Sequence, residues 1–60
     1  MVLTVKEISI LRMARSNADL AWKNGNKWEF GQTIDNVVAL GLPVMFLFVS
    51  EEVFEKSIKE

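Results

Sequence analysis

Neither cysteine nor histidine occurs in these 60 residues, and their absence constrains the fold more than any motif does. A chain this short buries a small fraction of its surface, so a disulfide, a structural metal or a partner subunit commonly supplies the missing stability. Without Cys there is no disulfide, and without Cys or His the usual structural zinc site has no ligands. Association remains. Half of the residues are hydrophobic and the mean hydropathy is +0.18, which agrees with apolar surface reserved for a partner. The expectation is a single domain over 1–60 that self-associates, most simply as a symmetric homodimer.

The same absence limits chemistry. Acid–base and nucleophilic catalysis recruit His, Cys or a carboxylate in an unusual setting. Ser9, Ser16, Ser50 and Ser57 have no base at a motif spacing. Glu51, Glu52 and Glu55 cluster, but Lys56 and Lys59 accompany them, and the group reads as a solvated helix face. Gly25, Gly31 and Gly41 fit neither nucleotide-binding fingerprint. No catalytic, cofactor-binding or metal-ligating residue is expected, and the chain is read as non-enzymatic with no cofactor.

Local signals favour helices. Thr4-Val5-Lys6-Glu7 fits a capping box, with Leu3 and Ile8 spaced for a hydrophobic staple. From there Ile10, Leu11, Ala14, Ala18, Ala21 and Trp22 share one broad face, and Arg12, Arg15, Ser16, Asp19 and Lys23 lie opposite. Arg15–Asp19 and Asp19–Lys23 are spaced as i,i+4 ion pairs. Asn24-Gly25 supplies a stop. The reading is one helix over 5–24, with Ser16-Asn17 as its weakest link and three small alanines that admit a close neighbour. Residues 24–31 read as a loop or a very short strand, with Trp28 and Phe30 folded back as a lid. Thr33 then caps a short helix over 34–40 that ends at Gly41.

The longest apolar stretch, Val37–Val49, is broken by Gly41 and Pro43 and is too short for the roughly 20 residues a membrane-spanning helix needs. Pro43 suits a helix start, so the third helix is placed over 43–59. Phe46, Leu47, Val53, Phe54 and Ile58 then lie on one face, and Glu52–Lys56 and Glu55–Lys59 pair on the other. The fold class is all-α, a compact three-helix domain over 5–24, 34–40 and 43–59. The alternative is α+β, with a buried strand at 44–49 paired to 2–5 or 27–30 and a following helix capped by Ser50. The N-terminus shows no basic stretch leading into an apolar one, and the expected location is cytoplasmic.

Two modes of binding compete. In a continuous third helix, Val44, Met45, Phe48 and Val49 project away from the face of Val53, Phe54 and Ile58. Such an apolar patch marks a protein interface, and Met45→Glu or Phe48→Glu is expected to disperse an oligomer or abolish partner binding. The protein is thus read as a small regulator or adaptor, of the kind bacteria and their phages encode, with a protein partner. The alternative uses charge asymmetry. Residues 1–28 carry Lys6, Arg12, Arg15, Lys23 and Lys27 against Glu7 and Asp19, a balance of +3, whereas residues 29–60 balance at −4. Arg12, Arg15, Lys23 and Lys27 form a basic stripe for an acidic partner or nucleic acid.

Residues 3–25, LTVKEIS…LRMARSNADLAWKNG, resemble the helix-turn-helix of excisionase and MerR-type regulators, in which a capped helix is followed by a turn, here at Arg15-Ser16, and a recognition helix ending at Gly25. The match needs a one-residue deletion and lacks the glycine-like turn. The run Ala39-Leu40-Gly41-Leu42-Pro43 also sits like a repressor turn. It leads, however, into VMFLFV, which has no side chain able to hydrogen-bond a base edge. The sequence pI near 5.3 further disfavours binding through phosphate contacts. Insertion of the apolar block into a membrane surface is disfavoured by the acidic residues after it.

Overall fold

The computed structural model describes residues 3–59. Three helices, α1 (Val5–Lys23), α2 (Lys27–Ala39) and α3 (Glu51–Lys59), follow one another, with a 3₁₀ turn at Val44–Leu47 between the last two. The expected all-α three-helix class is what the chain adopts. No strand occurs among the described residues, and none of the helices is long and apolar enough to cross a membrane.

The capping box at the start of α1 forms as read. The Thr4 hydroxyl accepts the Glu7 amide at 3.1 Å, and the Thr4 amide donates to the Glu7 carboxylate at 2.9 Å. α1 then runs unbroken through Arg15-Ser16-Asn17, so residues 3–25 do not form a helix-turn-helix. The turn expected there needs a residue that leaves helical geometry, and none is present. Ala14, Ala18 and Ala21 are buried, together with Leu11, and their small side chains let α2 lie close. Trp22, expected on this face, lies at its edge and is 72% exposed.

Both α1 and α2 end in a Schellman motif. Gly25 donates to the Trp22 carbonyl and Asn26 to that of Ala21, while Gly41 donates to Val38 and Leu42 to Val37. Gly25 and Gly41 have φ of +68° and +73°, the left-handed geometry these closures require. The second closure also packs Leu42 against Val37 in the core.

The second helix begins earlier than 34. Asn26 caps it: its side-chain oxygen accepts the Glu29 amide at 3.1 Å and its side-chain nitrogen donates to the Glu29 carboxylate at 3.0 Å. Thr33 is not the cap. It lies mid-helix and buried, its hydroxyl donating to the Glu29 carbonyl at 2.9 Å. Residues 27–31 are therefore the first turn of α2 and not a loop or strand. This turns Phe30 inward and carries Trp28 to solvent, 76% exposed, so Trp28 is no lid.

The third segment is not one helix from 43 to 59. Pro43 is extended, with φ −69° and ψ 106°, Val44–Leu47 makes a 3₁₀ turn, and Phe48 at φ −111° ends it. α3 starts afresh after Ser50, whose hydroxyl accepts the Val53 amide at 3.3 Å and whose carbonyl accepts the Phe54 amide. The Ser50 cap belonged to the strand alternative, and it forms without the strand. Phe54 is 1% exposed, whereas Val53, expected beside it, is 49% exposed because the restarted helix rolls it off the core. Phe46, Leu47 and Ile58 pack against the core as read.

Gly31 sits inside α2 with open space where a Cβ would project. Its substitution by alanine removes the backbone-entropy cost of a helical glycine at no steric cost. Gly31→Ala is expected to stabilise the fold by about 0.5–1 kcal/mol, read from urea denaturation with an unchanged m-value.

Candidate functional site

The third segment crosses one face of the α1/α2 hairpin and leaves an open cleft of ≈ 840 Å³ beside it. Ala18 and Phe54 contribute its floor, with Leu47 and Val49. One end is aromatic. Phe30 lies between Trp22 and Phe48, with ring centroids 5.4 Å from the first and 6.3 Å from the second, spacings typical of favourable aromatic pairs. The other end is charged, with Arg12, Arg15, Glu51 and Glu55.

The patch expected at Val44, Met45, Phe48 and Val49 is divided by the break in the third segment. Val44 and Val49 are half-buried and pack against the core. Met45 and Phe48 are 62% and 61% exposed, and of these Phe48 lines the cleft together with Val49. The continuous helix that would have aligned all four does not form.

The basic stripe is largely engaged within the chain. Arg15 donates through one guanidinium nitrogen to the carbonyls of Phe46 and Val49, the latter at 2.8 Å, and its guanidinium lies 4.8 Å from the Phe54 ring centroid. Arg12 makes a two-pronged ion pair with Glu55, one prong at 2.9 Å, and lies 5.7 Å from the same ring centroid. Lys23 pairs with Asp19 at 3.1 Å, as its spacing predicted. Arg15 is spent on carbonyls where an Asp19 pair was expected, and Glu55 pairs with Arg12 where Lys59 was expected. Lys27 lies in the exposed first turn of α2.

Two signals went unread. Asn26-x-x-Glu29 is a cap signature hidden inside what looked like a loop, and it is what brings Phe30 to the cleft. The pairing of Arg12 and Arg15 with the third segment had no local signal, because its partners lie 31 or more residues away.

Among the described residues no group of three His, Cys, Asp or Glu side chains is close enough to hold a metal ion.

Arg12 holds the Glu55 carboxyl below its ordinary value of 4.5, chiefly by hydrogen bonding, and the Thr4 amide does the same for Glu7. A carboxyl depressed by folding contributes stability above its unfolded value and loses it as pH falls through the folded one. Acid loss of stability is therefore expected below pH 4.5, and Glu55→Gln should flatten part of that limb in thermal unfolding across pH.

Arg15 answers a second test. Replacing it with methionine keeps length and apolar contact but strips the donor, at an expected cost of about 1.5–3 kcal/mol for charged hydrogen bonds. Arg15→Lys should recover part of the loss, since an ammonium can donate to both carbonyls from one nitrogen but lacks the flat guanidinium face that lies against the Phe54 ring; chemical denaturation of the two variants checks this.

No protein-family model matches this chain, and it has no significant match among curated proteins or solved structures.

Proposed function

We propose that this is a small non-catalytic regulatory or adaptor protein that works by protein–protein binding, taking an apolar segment of its partner into the cleft beside Phe48, and that it self-associates as a dimer. The observation that carries this reading is the aromatic end of the cleft: Trp22 and Phe48 stay 72% and 61% exposed on either side of Phe30. Exposed aromatic rings that rim a concavity are the usual anchors of protein interfaces. Phe30 is half-buried beneath them, which holds the rings in place and lowers the entropy cost of binding.

Nothing in the charge arrangement favours nucleic acid. Arg12 and Arg15 are committed to Glu55 and to two backbone carbonyls, so the stripe is reduced to Lys23, itself paired with Asp19, and Lys27. Phosphate binding gains from several unpaired cations presented together.

The test is capture of the partner from the native cell, with a photo-crosslinking residue at Met45 and the Phe48→Glu substitution in parallel. The substitution is expected to weaken capture at least tenfold, about 1.4 kcal/mol, while far-UV circular dichroism is unchanged. Undiminished capture would remove the cleft as the binding surface. Loss of helicity would make Phe48 a structural residue.

A further inference from the structure

The third segment covers only one face of the α1/α2 hairpin. The opposite face carries a separate groove of ≈ 450 Å³ between the two helices, bordered by Ile10, Met13 and Asn17 on α1 and by Asn36, Ala39 and Leu40 on α2. Met13 and Leu40 are 67% and 59% exposed, and Leu20 beyond them is 60% exposed. Met13, Asn17 and Leu20 stand at i, i+4 and i+7, a single stripe along α1. A quarter of the chain is charged, yet none of the residues lining this groove is.

We propose that a second copy of this chain occupies the groove, packed face to face about a two-fold axis so that two α1/α2 hairpins form a four-helix bundle. The proposal rests on the self-association read above and assigns it to the face opposite the aromatic cleft. Three features select a second copy over an unrelated partner. In a two-fold interface the same patch meets itself, so a charge near its centre meets its own sign; a groove without charge avoids that penalty, which an unrelated partner does not impose. The Asn17 and Asn36 side chains each donate and accept hydrogen bonds, so copies of them can pair across the axis.

The rims are complementary as well. Lys6 precedes Met13 by one heptad on α1, and Glu29 precedes Asn36 by one heptad on α2. Because the helices are antiparallel, these charges mark opposite ends of the face. A two-fold axis perpendicular to the helices brings the Lys6 end of one copy to the Glu29 end of the other.

Size fits this occupant. The molecule measures 33 × 23 × 15 Å, and its broad face matches in outline the roughly 800 Å² per partner of a standard interface.

Solution mass at micromolar concentration, by sedimentation or light scattering, tests the assignment. The wild type is expected at twice the 6.8 kDa chain mass. Met13→Glu and Leu40→Glu, each at an exposed position, should both show a twofold drop in mass with helicity retained, whereas Phe48→Glu should remain dimeric. A monomeric wild type, a dimeric Met13→Glu, or a Phe48→Glu variant that dissociates would overturn it. Because the cleft and the groove are on opposite faces, partner capture by the cleft can survive or fail independently of these masses.

Discussion

The fold turns on one guanidinium. A continuous helix through 44–59 would spend the Phe46 carbonyl on the Ser50 amide and the Val49 carbonyl on the Val53 amide. Arg15 takes both carbonyls, and the Ser50 hydroxyl takes the Val53 amide. The break in the chain is thus satisfied on its acceptor side from α1 and on its donor side by its own cap. The same guanidinium lies over Phe54, the largest fully buried side chain, so the bend and the core anchor are held by a single residue.

Two faces with different characters follow from that bend. Had the segment stayed helical, it would have lain as a straight third rod. Bent, it delivers Phe46 and Phe54 into one edge-to-face pair, with centroids 5.7 Å apart, and tips Phe48 toward Phe30 and Trp22. The cleft is the space this geometry leaves on one side of the hairpin. On the other side Met13 and Leu40 border a second groove and stay exposed.

Much of the local structure was legible from neighbouring residues. The Thr4–Glu7 box, the glycine stops at Gly25 and Gly41 and the small-residue face of α1 all depend on contacts within one or two turns, where spacing determines what can meet. The start of α2 was equally local but masked. Asn24-Gly25-Asn26 reads as a loop, and Gly31 weakens the helical pattern that follows, so Thr33 looked like the nearer cap. Its hydroxyl had a competing use, the carbonyl four residues back, which a mid-helix threonine commonly takes.

What the sequence by itself determined is the span of α1 and both glycine stops, because each rests on backbone geometry set by adjacent residues; it favoured the all-helical class but left a strand at 44–49 open, and the 3₁₀ turn at Val44–Leu47 closed that alternative. Only the tertiary structure decided what Arg12 and Arg15 are for. Their partners, Glu55 and the Phe46 and Val49 carbonyls, are distant in sequence, and a long basic side chain reads the same whether it meets water, phosphate or its own backbone. That choice split the apolar patch of Val44, Met45, Phe48 and Val49, sending the two valines to the core and leaving Met45 and Phe48 at the surface.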